Sequence, residues 1–522
     1  MSQAIDNLSP DSLGWAFAHV KRFGDTDIFP EPFEFDSIGE SWPEVQAYLS
    51  SIDLSKHSFR SPMRALSAKH ANGFRVVVQL DPYDSLLYLA IAREVGALVE
   101  SLRIPEERGI ACSYRVEFSP DGQLFKKAGG WDQFQETSRA RCREPKVKFV
   151  LTADISDFYN QIYHHRVESA LEIAGIERGR CRNVETLLGG LTAQQTQGLP
   201  VGPMPSILLA EACLADVDDF LLRKGFDHAR YVDDFRIFCG SRSAAIEALH
   251  ALTDYLNSSH KLSLQGGKTY IHSKDAFVKR ELDDPEKTER ERTTRHFNEI
   301  VGAIPAAYVD LDDDDAVKEI ENAAARDALK ELFQEVVSGK NLPLGLARYT
   351  LRRARSLRSK VILPAVLSNL DRLVPVLRDV VLYLKTAYPR KTPTSVGEAI
   401  EAMLERSDWR RIPFVQLWLL HLISEVPALV PADRALALAE GADVQVRDRM
   451  AALVARAHRV VNWVREKKET WGNTSPWAQR AIIWSGAILP ADERRAWLGP
   501  IAARPVSDLC GVVARGAKNG VS

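Results

Sequence analysis

The sequence predicts an α+β amino-terminal region followed by an all-α, solenoid-like carboxy-terminal domain. Up to about residue 280, strand-like runs such as KFVLTADI (148–155) alternate with helical patterns such as ILLAEACLADVDDFLL (207–222). From about 319 to 515 apolar residues recur every three or four positions, as in LKELFQEVV, VLRDVVLYLK and MAALVARAHRVVNWV. Pro343, Pro364, Pro375, Pro413, Pro431, Pro476 and Pro490 mark short breaks there, and no repeat period is regular enough to name a repeat class. Between the two regions, residues 282–318 include DDPEKTERERT and DLDDDDAV, the composition of a charged linker or a solvated insert.

A hydrophobic share of 45% and a charged share of 26% are those of a globular protein, and no apolar run approaches the roughly 18 residues needed to cross a bilayer. The start, MSQAIDNLSPDS, lacks a basic segment followed by an apolar one, so a cytoplasmic location without membrane partners is expected. Cys112, Cys142, Cys181, Cys213, Cys239 and Cys510 form no C-x-x-C pair, which makes reduced, unligated thiols the default. The formal net charge of -2 opposes nonspecific coating of nucleic acid but leaves room for local basic patches, such as Arg139, Arg141, Arg143, Lys146 and Lys148.

The chemistry starts with RYVDDFRIF (230–238), two adjacent carboxylates between residues that favour strands, hence a hairpin with acid at its tip. Adjacent like charges repel, so Asp233 and Asp234 make best sense with a divalent cation and a further ligand; alone, the pair reads more readily as an acidic turn in solvent. Asp154, at the end of the apolar strand KFVLTAD, supplies the third carboxylate. Such a group can hold two magnesium ions that activate an attacking 3'-oxygen and steady a leaving pyrophosphate. Asp157 reads better as a helix N-cap than as a ligand. Between these segments, QGLPVGPMPSILLAEACLADVDDF (197–220) is a Gly/Pro loop leading into a helix with apolar positions at Ile207, Ala210, Leu214, Val217 and Leu221. Gly198 and Gly202 there permit close backbone approach to a ligand.

The order of strand with Asp, Gly/Pro loop with helix, and Asp-Asp hairpin resembles motifs A, B and C of the reverse-transcriptase palm. The resemblance implies that Asp154, Asp233 and Asp234 are catalytic metal ligands for two Mg2+, with Mn2+ an alternative. It implies that Tyr159 screens the sugar 2'-position, and that Gln197 and Gly198 line the nucleotide site. LSLQGGKTYI (262–271) is similar to motif D, which makes Lys268 the general acid for pyrophosphate. SAKHANGFRVVVQLDP (67–82) is similar to the fingers pattern, placing Lys69 and Arg75 over the triphosphate. The implied division is an amino-terminal helical segment and fingers over 1–145, a palm over 146–281, the charged linker over 282–318 and the helical repeat-like domain over 319–522.

Motif B lacks the Gly-Ser pair of retroviral and group II intron enzymes. QLDPYDSLLYL (79–89), CSYRV (112–116) and SPWAQRAIIW (475–484) resemble bacterial abortive-infection and other defence-associated reverse transcriptases. That resemblance implies antiphage defence, dNTPs as substrates and a homo-oligomer. The DNA product is either made without a template and linked covalently to a tyrosine, or copied from an associated non-coding RNA.

Overall fold

The computed structural model describes residues 6–70, 73–126, 129–192, 194–283, 323–387 and 394–518. Nearly all of the charged stretch 282–318 therefore lies outside the described residues. The chain divides into two compact units: Met1–Asp27, Leu49–Met63 and Val78–Glu289 form one, and Ile28–Tyr48, Arg64–Val77 and Arg290–Ser522 the other.

Strands β1 (Met63–His70) and β2 (Gly73–Gln79) form a separate two-stranded sheet whose residues 64–77 belong to the second unit. The first unit is built on a four-stranded antiparallel sheet in the order β4-β5-β3-β6, with β3 at Phe149–Asp154, β4 at Asp227–Tyr231, β5 at Asp234–Cys239 and β6 at Tyr270–Ser273. Directly paired residues of antiparallel strands share a face, and alternate residues along a strand switch faces. Val150, Thr152 and Asp154 therefore lie on one face with their partners Phe238, Arg236 and Asp234. Ala229 and Tyr231 join them from β4.

The lower part of that face is closed by the helix Gly130–Arg143, whose Phe134 and Cys142 pack in a buried cluster with Val150, Ala229, Phe238 and Phe277. The opposite face carries Arg230 and His228, which meet the helix Met204–Arg223. That helix is buried almost all round between Pro205 and Asp218, not on the single stripe its spacing suggests. It also packs on the helix Pro82–Leu102, where Tyr88 Oη lies 3.1 Å from Ser206 Oγ.

The second unit is helical from Ala323 to Lys518 among the described residues, and its helices pack mainly on those one or two places along the chain, the stacking expected of a solenoid. It also holds an earlier segment. Glu34, fully buried, accepts hydrogen bonds from Arg449 at 3.0 and 3.3 Å and from Arg480 at 2.9 Å. Burial opposes its charge, yet the two guanidiniums hold its carboxyl below the ordinary value. Trp463 and Trp477 are buried in this unit. All six cysteines are buried and free, and no described helix is long and apolar enough to cross a membrane.

Candidate active site

Asp154 ends β3 and Asp234 begins β5, and the two are direct register partners. Asp233 sits in the β4–β5 turn, and its carbonyl accepts a hydrogen bond from Ile155 N at 3.2 Å. Three aspartates from segments about eighty residues apart in sequence thus lie at one end of the sheet. The surrounding protein, then Asp233 and Asp154, push the Asp234 pKa up to about 7, although its side chain reaches solvent. Lys268, in a short 3-10 turn after the backbone contact Gln265 N to Asp154 O (2.7 Å), places Nζ 2.8 Å from Asp154 Oδ2. Partial burial works against the lysine charge, but Asp154 and then Asp234 and Asp233 outweigh it and raise its pKa.

The tip of the hairpin is strained and clamped. Val232 has φ +55°, a left-handed conformation that a β-branched residue rarely adopts. Its N–H donates to Ser113 Oγ at 2.9 Å and its carbonyl accepts from Arg230 Nη1 at 2.9 Å. Both clamps converge on buried Glu211: Ser113 Oγ donates to Oε1 at 2.5 Å, while Arg230 Nη1 and Arg103 Nη2 lie 3.1 and 2.9 Å from Oε2. Arg230 is completed by Asp218, to which Nη2 donates at 2.6 Å, and His228 Nε2 lies 3.1 Å from the same carboxylate. Burial disfavours the Asp218 charge, but Arg230 and His228 hold its carboxyl well below the usual range. Reading the sequence for a catalytic pattern passes over this network. Its signal is Glu211, an acid inside the apolar run ILLAEACLA, with Asp218 two turns further along the same helix.

The Gly/Pro loop lies against the segment that follows Asp154. Leu199 N donates to Tyr159 O at 2.8 Å, Gly198 N donates to Ile162 O at 2.8 Å, and Gln197 pairs with Tyr163 in an isolated bridge. Tyr159, Gln197 and Gly198 are therefore neighbours, and Gly198 takes φ +100°. His164 is buried with Nε2 2.8 Å from Gly198 O and so tethers the loop. Asp157 stands at the N-cap position of Phe158–Gln161 but makes no capping hydrogen bond; it has φ +48° and accepts from Asn160 Nδ2 at 2.7 Å. Lys69 and Arg75 are exposed on β1 and β2, in the second unit. Of the basic cluster, Arg139 pairs with Asp283, Arg141 with Asp227 and Lys146 with Glu144, which makes much of it ordinary surface ion pairing.

The donor set fits a hard divalent cation. Carboxylate oxygens are the ligands Mg2+ and Mn2+ prefer, and a carboxyl pushed up to about 7 marks negative charge without enough compensation. Among the described residues no three His, Cys, Asp or Glu side chains stand close enough together to hold an ion. Asp154 Oδ2 is turned to the Lys268 ammonium.

Three solved telomerase structures align with much of the chain. That of Candida albicans in complex with a TWJ fragment of telomeric RNA is 12% identical over 76% of this chain and 70% of its own, with a TM-score of 0.32. Apo telomerase of Candida tropicalis is 11% identical over 81% and 72%, with a TM-score of 0.33, and its complex with the TWJ fragment gives 11%, 77%, 67% and 0.34. Such scores are too low to define a shared overall architecture. No curated protein matches the chain. Residues 114–295, a segment that includes Asp154, Asp233, Asp234 and Lys268, match the family model described as reverse transcriptase (RNA-dependent DNA polymerase).

Proposed function

We propose that this chain is a reverse-transcriptase-like DNA polymerase that joins dNTPs by two-metal nucleotidyl transfer and acts in antiphage defence. The observation that carries the polymerase reading is the meeting of Asp154, Asp233 and Asp234 at one end of the sheet, with Lys268 on Asp154. In this reading the three aspartates hold Mg2+ or Mn2+, which when bound activates the attacking hydroxyl and neutralises charge on the leaving pyrophosphate. Lys268 Nζ donates a proton to the pyrophosphate oxygen as it leaves. Tyr159, beside Gln197 and Gly198, bounds the sugar pocket and selects against a 2'-hydroxyl, while Lys69 and Arg75 neutralise the triphosphate. The defence role is supported by the sequence phrases at 79–89, 112–116 and 475–484 and by the long helical region after the palm.

The test is incorporation of labelled dNTPs and rNTPs with magnesium by purified wild-type protein and by Asp233→Asn. Wild-type incorporation of dNTPs that is lost in the variant is expected. Equal absence in both points instead to a noncatalytic assembly protein on a polymerase scaffold. Sequencing the product with and without protease treatment separates a random, tyrosine-linked DNA from a copy of a fixed RNA.

A further inference from the structure

Beside the carboxylates, on the same face of the sheet, stands a group of aromatic rings that no step of the chemistry above uses. Tyr231 is the register partner of Asp234, which is itself the partner of Asp154, so the three residues form a row across β4, β5 and β3. With neighbouring strands spaced about 4.8 Å apart, Tyr231 lies roughly 10 Å along that row from Asp154. Two further rings converge on it. Trp131 sits edge-on to Tyr231 with centroids 5.1 Å apart, and Tyr114 lies 6.2 Å from it.

Burial separates these rings from ordinary core. Phe134, one turn further along the helix of Trp131, is 1% exposed, whereas Trp131 is 42% and Tyr114 38% exposed. Large aromatics left half open in a cluster, each backed by another ring, cost the burial that would otherwise stabilise the fold. Tyr114 also adopts φ +46°, a strained conformation for a non-glycine residue. It is pinned there by buried Arg103, whose Nη1 donates to Tyr114 O at 3.0 Å and whose Nη2 donates to Ser113 O at 2.6 Å. The buried network that clamps the Asp-Asp hairpin therefore also sets the Tyr114 backbone. A cation lies under the ledge, with Arg236 Cζ 6.0 Å from the Trp131 ring and 4.0 Å from the Phe134 ring.

We propose that Tyr114, Trp131 and Tyr231 form a stacking platform for an unpaired base of a single-stranded nucleic acid, one to two nucleotides from the carboxylates. The inference rests on the polymerase reading for the identity of the strand. Every base has a π-face, so such a platform binds irrespective of sequence. A single strand is favoured over a duplex because the helix Gly130–Arg143 closes the sheet face directly below the ledge, over Val150, Ala229 and Phe238.

The test is binding, read by fluorescence anisotropy without dNTPs, of the full chain to labelled oligo-dT and to an abasic oligonucleotide of equal length. Trp131→Ala and Tyr114→Ala should each weaken oligo-dT binding about 5- to 150-fold, the range one base–aromatic stack supports. Both variants should leave abasic binding unchanged, and Trp131→Phe should keep most of the oligo-dT affinity. Unchanged oligo-dT affinity in both alanine variants overturns the proposal, as does equal loss for the abasic strand. Wild-type failure to bind oligo-dT, or a blunt duplex bound as tightly and with the same sensitivity to Trp131→Ala, also overturns it. The readout is separate from catalysis: platform-dependent binding without dNTP incorporation removes the polymerase reading and leaves the platform standing. Incorporation with binding indifferent to both residues removes the platform alone.

Discussion

The clamp on Val232 makes a quantitative prediction for Ser113→Ala. The hydroxyl accepts from Val232 N at 2.9 Å and donates to Glu211 Oε1 at 2.5 Å, so its removal leaves a backbone donor and a buried carboxylate oxygen each short of a partner. Lost satisfaction of that kind costs about 1–3 kcal/mol in stability. It also releases a turn that stores strain, because a left-handed non-glycine residue costs roughly 1–2 kcal/mol. Once Val232 relaxes from φ +55°, Asp233 moves with it, and an ångström-scale misplacement of a reacting group can cost about a hundredfold in rate. Glycine holds the same φ without strain, so Val232→Gly should be nearly neutral alone, strain relief offsetting about 0.5–1 kcal/mol of added chain entropy. In the Ser113→Ala background it should restore most of the lost activity. Urea unfolding of the four proteins gives the stability cycle, and kcat for dNTP incorporation, measured apart from KM, gives the functional one. A coupling of about 1 kcal/mol or more is expected between the two sites. Strict additivity in both cycles refutes the idea that Ser113 acts through the turn.

Further outcomes follow from individual groups. Asp233→Asn removes one of the two charges that help hold Asp234 up at about 7, so a titration followed by NMR should show the Asp234 pKa falling while incorporation is lost; an unmoved pKa would mean that burial and Asp154 set it without Asp233. His19 is buried with Nδ1 2.6 Å from Gly122 O, and burial lowers its pKa from 6.5 to about 4. The unfolded chain thus takes up a proton that the folded one refuses, and stability falls by about 3 kcal/mol as pH drops from 6.5 to 4, with no further loss below. The stability difference between wild type and His19→Gln should therefore change across that window, and a pH-independent difference would contradict the assignment. In the Gly/Pro loop, a Cβ on Gly202 would lie 2.8 Å from Thr26 Oγ1 and 2.9 Å from Val78 O, whereas on Gly198 the nearest atom would be 3.6 Å away. Both take positive φ, so both alanine variants are strained, but Gly202→Ala should lose about 1–3 kcal/mol more in thermal unfolding. Equal losses would mean that the backbone conformation, not space, governs the loop.

What the sequence discloses follows from which physical signals are local. The strand KFVLTAD, the Asp-Asp hairpin and the loop before the helix Met204–Arg223 each announce themselves by periodicity or turn chemistry, and the antiparallel register then brings Asp154 opposite Asp234. The salt bridge of Lys268 to Asp154 is equally consistent with the order of segments. What stays hidden is set by distant partners. Arg230 reads as an ordinary residue of RYVDD, and only Glu211, Asp218 and Ser113 make it a buried support for the turn behind the carboxylates. The recruitment of Ile28–Tyr48 into the helical unit is hidden for the same reason, since the Glu34 bridge to Arg449 and Arg480 spans more than four hundred residues. Composition marks a change of character near 282–318, but a chain that leaves a unit and returns to it gives no local sign.

The two faces of the sheet treat charge in opposite ways, and the contrast locates the chemistry. Behind the hairpin, Glu211 and Asp218 are matched by Arg103 and Arg230, all four buried and bonded at 2.6 to 3.1 Å, with His228 completing the set. Breaking one partner of such a set costs about 3–5 kcal/mol, because it strands a buried charge. That balance makes the network a rigid support with no capacity to bind an ion. In front, Asp154, Asp233 and Asp234 face Lys268, while Arg236, on the same sheet face, is turned to Gln135 and Ser138 and stacks over Phe134. The deficit shows in Asp234, which is pushed up to about 7, where it is no longer firmly ionised near neutral pH. A fold that neutralises its buried acids so completely on one side has the means to do so on the other. At the sheet end shared by β3 and β5, added positive charge would therefore favour the ionised form of Asp234, as the proposed metal site requires.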